Sequence, residues 1–298
     1  MKKLKYSVRS FRLRTLPLSV AGILLGSMLA AGDGFFNTSV FVLAILTTLC
    51  LQILSNIAND LGDTLKGTDN EQRLGPIRAL QAGVLTPRDY WRLIRIFALL
   101  SITSGVTLIC VAFRSLTYAS VIMLLLGGAA IIAALKYTMG KNPYGYRGLG
   151  DLFVFLFFGL LSTLGAYFLM RHSIGCLLLL PATALGFLTT AVLNVNNLRD
   201  MENDARCGKN TIPVKIGEKK ARIYHCILIG GAFLCMTLYA LFHPNGIGGF
   251  LFFLSLPFFS IHLSKMLTLS GKSLDPQLKF LSVSTLLFAL LSGAGQIF

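Results

Sequence analysis

Acidic charge is scarce in this chain. Asp and Glu number 12 among 298 residues, against 27 Lys and Arg, and charged residues of both signs make up 13%. Soluble domains typically carry about 25%. With 54% apolar residues gathered in long uncharged runs, a water-soluble fold is excluded, because runs of about 18 or more such residues form transmembrane helices. Metal-binding cysteine pairs are also missing. Cys50, Cys110, Cys176, Cys207, Cys226 and Cys235 form no C-x-x-C motif; most read as small buried apolar residues rather than disulfides or a thiolate metal site, and Cys207, in a polar loop, reads as a free thiol on the cytoplasmic side. His172, His225, His243 and His262 lack ligand spacing and read as loop or interface residues.

What is present is a regular series of apolar runs. The first starts at Leu16, and others follow at 39–58, 96–113, 116–135, 151–170, 174–195, 223–242, 247–264 and 280–298. The expected fold is all-α, a polytopic membrane protein of nine spans. The basic stretch before Leu16 and the small residues ending at Gly32 suit a secretory signal, but Pro17 at the start of the run favours a retained first span. With the N-terminus inside, segments 1–14, 59–95, 136–150, 196–222 and 265–279 hold every Lys and Arg except Arg114 and Arg171. That bias is the positive-inside signature. It accounts for the net charge of +15 without a nucleic-acid partner, and it places the C-terminus outside with Phe298 at the membrane edge. The chain reads as one domain, 1–298, with a faint four-helix repeat over about 15–150 and 151–265.

The scarce acids cluster on the inner side. In Gln52–Asp69, Asn56, Asn59, Asp60 and Asp63 are three and four residues apart and share a helix face. Asn197, Asp200 and Asp204 do the same in Asn194–Lys209. Mg²⁺ takes oxygen ligands, usually one or two carboxylates plus substrate phosphates. One half-site can come from Asn59, Asp60 and Asp63 with Asp69 behind them, the other from Asp200 and Asp204 beside Asn197. Grouped carboxylates raise each other's pKa unless a cation lies between them. Arg73, Arg78, Lys141, Arg147, Arg199, Arg206 and Lys209 lie close by in sequence and suit phosphate oxygens. Metal and Arg/Lys together stabilise a departing diphosphate. The Gly-rich segment Lys136–Asp151 supplies three tyrosines that can wall a site near a developing carbocation.

These stretches resemble the UbiA-type intramembrane prenyltransferases, and within them the 1,4-dihydroxy-2-naphthoate branch of menaquinone synthesis. The resemblance rests on Arg12-Leu13-Arg14-Thr15-Leu16-Pro17, Asn59-Asp60-Leu61-Gly62-Asp63, Gly75-Pro76-Ile77-Arg78, Pro143–Asp151, and Asn194–Asp200 through Gly208–Thr211. It implies Mg²⁺-dependent transfer of a polyprenyl group from its diphosphate to the naphthoate, with loss of CO₂, giving demethylmenaquinone. It further implies a multi-pass protein of the bacterial inner membrane with its active site facing the cytoplasm. By position, Asn59, Asp63, Asp200 and Asp204 would organise metal. Arg78 and Lys209 would hold diphosphate oxygens, and Arg14, Lys141 and Tyr144 would contribute to substrate binding. Where much of the family has a further Asp, this chain has Gly67, with Asp69 two residues on. The alternatives are a related enzyme acting on 4-hydroxybenzoate or a similar aromatic acid and, from another class, a secondary transporter. The near absence of ionisable residues at span centres argues against the transporter.

Overall fold

The computed structural model describes residues 2–243 and 245–297, so the expectation for Phe298 lies outside it. Among the described residues, nine helices are long and apolar enough to cross a membrane: Tyr6–Gly32, Thr38–Leu65, Pro87–Phe113, Tyr118–Lys136, Gly150–Arg171, Cys176–Arg199, Glu218–Phe242, Gly246–Thr268 and Gly271–Ile297. They are called the first to ninth spans here. No strand is present among the described residues, only an isolated bridge between Asn245 and Ile247. The protein is a multi-pass membrane protein.

Several helices run further than their apolar stretches, and the polar extensions build the site. The second span starts where the Asn37 side chain accepts from the Val40 amide at 3.1 Å and continues unbroken to Leu65. Asn59 and Asp63 therefore sit on its last two turns. The third span begins at Pro87, nine residues before its apolar run, because Thr86 and Asp89 form a reciprocal capping box and proline is tolerated at the first helical position. The helix of the ninth span begins at Asp275, where a carboxylate favours the helix N-terminus.

A large apolar core joins the first span to the sixth through ninth, with Leu25, Leu185, Leu188, Phe252, Phe259 and Phe288 fully buried. Lipid is as apolar as such a core, so close packing and polar contacts rather than burial alone hold the helices together. The fifth span widens to a π-helix over Phe155–Leu161. There Gly159 meets Gly186 of the sixth span so closely that a Cβ on Gly159 would overlap the Gly186 backbone. A second core packs Leu54, Ile57 and Leu61 against Tyr90 and Ile94 of the third span and Ala79 and Leu85 of the intervening loop. It fixes the loop that carries Arg73 and Arg78. At the opposite end of the bundle, Arg171 and Tyr167 both hold Asp33.

Two sequence expectations need correction. Of the six cysteines only Cys50 is buried; Cys110 and Cys176 are exposed on the bundle surface, and Cys207, Cys226 and Cys235 are half-buried. Small apolar residues suit a lipid-facing surface. His225 and His262 are completely buried, not loop residues. Their Nε2 atoms lie 2.9 Å apart, and His262 Nδ1 is 2.9 Å from Gln277 Oε1. This chain ties the seventh, eighth and ninth spans, since polar groups in a membrane interior must satisfy one another.

Candidate active site

A cavity of about 500 Å³ runs from the loop-rich end of the bundle up between the first six spans. Its wall from the second span is Gln52, Asn56, Asn59 and Asp63, one stripe at helical spacing. Its wall from the sixth span is Thr189, Val192, Asn196 and Asp200. The helix breaks at Asp200, a six-residue helix Met201–Arg206 follows, and a turn at Gly208 (φ 69°) returns the chain so that Asp204 and Lys209 also line the cavity.

The two acidic stretches meet through specific contacts. Lys209 Nζ lies 3.2 Å from Asp63 Oδ2, and Tyr146 donates to Asp63 Oδ1 at 2.8 Å. Asn203 donates to the Thr68 carbonyl at 2.9 Å. Arg73 is 2.9 Å from Asp69 and 3.8 Å from Asp200. The cations that separate the carboxylates are thus in part the protein's own. Asp60 is turned away from the cavity, where Arg12 (2.5 Å), Arg78 (3.3 Å) and the Tyr90 hydroxyl (3.4 Å) surround it. Arg12 reaches it from a left-handed backbone (φ 51°), an unfavourable conformation for a side-chain-bearing residue. Arg199 is fully enclosed, binding both Asp200 oxygens (3.1 and 2.5 Å), Asn196 (3.0 Å) and Asp275 (2.6 Å). Arg14 also holds Asp275, at 3.0 Å.

Of the residues singled out from sequence, Asn59, Asp63, Arg78, Asp200, Asp204, Lys209, Arg14 and Tyr144 line the cavity. Asp60, Asp69, Asn197 and Arg199 are buried beside it without lining it. Asn196, one residue earlier, has the cavity-facing place expected for Asn197. Lys141 and Arg147 are exposed in the loop after the fourth span and reach no part of the cavity. Sequence reasoning missed Arg12, Tyr90 and Asp275 as parts of this cluster, and it placed Tyr146 in a site wall without its bond to Asp63.

Burial shapes the charges. It pushes the Asp204 carboxyl up to about 7, opposed by Lys209 and reinforced by Asp200 and Asp63. Asp69 is raised by burial against the pull of Arg78 and Arg73, and neither of its oxygens has a hydrogen bond. For Asp200 burial acts upward too, but the Arg199 contacts outweigh it and hold the carboxyl below its usual range. Burial would lower Lys209, yet Asp63 and Asp204 carry it above the ordinary lysine value. Arg78 drops to about 10 through burial and the proximity of Arg12.

Six carboxylates (Asp60, Asp63, Asp69, Asp200, Asp204, Asp275) thus face six cations (Arg12, Arg14, Arg73, Arg78, Arg199, Lys209). Among the described residues no three acids, histidines or cysteines are grouped tightly enough to hold a metal alone. The donors fit Mg²⁺ nonetheless: Asp63, Asp200 and Asp204 offer oxygen ligands to one cavity, and Asp204 is repelled by its acidic neighbours. Phosphate oxygens and water would complete the coordination.

The sequence profile of the UbiA prenyltransferase family matches residues 19–293. The chain belongs to the UbiA prenyltransferase family. A relative in Escherichia coli, named 1,4-dihydroxy-2-naphthoate octaprenyltransferase, is 47% identical over 250 residues, covering 84% of this chain and 81% of its own. A protein of the same name in Haemophilus influenzae is 43% identical over 304 residues, covering 99% of this chain and 97% of its own. A solved UbiA homologue from Archaeoglobus fulgidus, bound to DMAPP and Mg²⁺, shares the fold with a TM-score of 0.63 at 17% identity. The match covers 94% of this chain and 98% of that one.

Proposed function

We propose that this UbiA-family protein transfers a polyprenyl group from polyprenyl diphosphate to 1,4-dihydroxy-2-naphthoate, with loss of the ring carboxylate as CO₂. Two relatives bearing that name cover most of the chain. The observation that carries the chemical reading is the balance of charge around the cavity. Six acids against six bases leave no surplus of positive charge for a diphosphate, while three of the acids present oxygens to the cavity. Asp63, Asp200 and Asp204, with Asn59, would hold Mg²⁺, which supplies the positive charge that offsets the departing diphosphate.

Lys209, Arg73 and Arg78 line the same end and bind the diphosphate oxygens. Arg12 and Arg14 extend this cationic rim. The prenyl tail lies along the apolar wall of Ile23, Ala44, Leu108 and Leu169. As the C–O bond breaks, the allylic cation forms beside Tyr144 and Phe153. Their rings stack with centroids 4.0 Å apart, and the Tyr144 hydroxyl is already committed to the Ala133 carbonyl at 2.9 Å. Tyr144 therefore offers its π-face to the cation. The electron-rich naphthoate ring forms the new C–C bond. Its carboxylate leaves as CO₂, and the electrons of that bond return to the ring. Lys141 and Arg147 lie on the loop surface, where they meet substrate only on its approach. We place the cavity mouth on the cytoplasmic side of a bacterial inner membrane, on the strength of the Lys/Arg bias of the connecting loops.

The deciding experiment is product mass after incubation with a polyprenyl diphosphate and the naphthoate. Gain of the prenyl group with loss of CO₂ is the expected result. Turnover with 4-hydroxybenzoate and none with the naphthoate would sink the acceptor assignment.

A further inference from the structure

Asp275 lies at the start of the ninth-span helix, 75 positions after Asp200 in the chain, yet the two carboxylates share one guanidinium. Arg199 has no exposed side-chain surface. Its Nε and one Nη bind Asp200, while its other Nη binds Asp275 Oδ1 at 2.6 Å. This arrangement poses a problem for the site. To serve a metal, Asp200 must loosen its hold on Arg199. A buried guanidinium deprived of its only anion is strongly destabilised, so Arg199 alone would keep Asp200 to itself. Asp275 removes the obstacle by supplying a second anion that stays with Arg199.

We propose that Asp275 is a positioning residue that keeps Arg199 charge-compensated and so releases Asp200 to bind Mg²⁺. The inference rests on the reading of Asp200 as a metal ligand. Arg14 shares Asp275 but is a quarter exposed. Water can replace that contact, which leaves Arg199 as the sensitive partner.

The test uses the full-length protein in nanodiscs. Mn²⁺ is titrated in the presence of inorganic pyrophosphate, and bound metal is counted by electron paramagnetic resonance. Asp275→Asn is expected to weaken Mn²⁺ binding by on the order of tenfold, at the lower end of what loss of a ligand's supporting partner costs. Asp275→Glu should restore most of the affinity. Adding Arg199→Gln to Asp275→Asn should recover binding as well, because Asp200 is then freed from its competitor. A scaffold defect would not be repaired by a second substitution. Wild-type affinity in Asp275→Asn, or a double variant no better than the single one, overturns the proposal. If Asp275→Asn does not fold, Arg199→Gln alone decides: binding at least as tight as wild type supports the competition, and weaker binding overturns it. Asp200→Asn, run in parallel, should lose Mn²⁺; wild-type binding there defeats the ligand role of Asp200 itself, independently of Asp275.

Discussion

The acids at the loop-rich end of the bundle fall into two groups that differ in what they face. Asp63, Asp200 and Asp204 line the cavity. Asp60, Asp69 and Asp275 stand behind it, each against arginine side chains: Arg12 and Arg78, Arg73 and Arg78, Arg14 and Arg199 respectively. The first group opens onto the ligand space, although Asp200 also holds Arg199 and Asp63 also holds Lys209. The second fixes the cations that frame that ligand. Identical side chains thus do different work according to whether they point into the open space or into the wall.

The sharpest way to break this division is to neutralise one acid from each group. Asp63→Asn or Asp200→Asn should cut turnover on the order of 10³-fold, the scale of losing a major electrostatic contact in a transition state; Lys209 keeps Asp204 and Arg199 keeps Asp275 as a second anion, so the thermal-unfolding midpoint should fall less than in Asp60→Asn. Chelation by EDTA should have the same effect, and Mg²⁺ should reverse it. Asp60→Asn should show the opposite profile. Breaking a pair whose carboxylate is 1% exposed costs about 3–5 kcal/mol, read as a lower unfolding midpoint in detergent. If Asp60→Asn leaves stability intact while abolishing metal binding, the two groups are not distinct.

Lys209→Gln removes a buried cation that already touches Asp63, and should lower turnover by about 100-fold. The pH dependence of Mn²⁺ binding sharpens the picture at Asp204. Burial pushes its carboxyl up to about 7. Protons therefore compete with metal below that value, and affinity should rise as pH passes upward through it. The part of the slope due to Asp204 should vanish in Asp204→Asn; an unchanged slope would assign it elsewhere. The smallest effects belong to Lys141→Ala and Arg147→Ala, both exposed, which should change kcat/KM by less than about twofold at moderate salt.

Much of this was legible because membrane sequences advertise their polar residues against a plain background. The nine spans follow from hydropathy, and the stripe of Asn56, Asn59 and Asp63 follows from helical spacing. Spacing also admitted Asp60 and Asn197, which are buried beside the cavity instead. Neighbouring residues on a helix are only about 100° apart. Which of them faces the open space depends on the packing of Arg12 and Tyr90, and that information lies elsewhere in the chain. Asp275 was hidden for a different reason. Hydropathy starts the ninth span at about 280, so Asp275 read as part of a loop, although an acid just before Pro276 is a recognisable helix start. Tyr146 belonged to a segment already marked as a wall, but its bond to Asp63 depends on how that segment folds back.

The crossing of Gly159 over Gly186 has a mechanical side. With no side chains between them, the fifth and sixth spans meet at a fulcrum, and the sixth span extends from it as a lever of 14 residues to Asp200, about 21 Å at 1.5 Å per residue. A small tilt at that bearing is magnified at the far tip. The tolerance to which a carboxylate is aimed at one end of the molecule is therefore set by two missing methyl groups in the middle of the membrane.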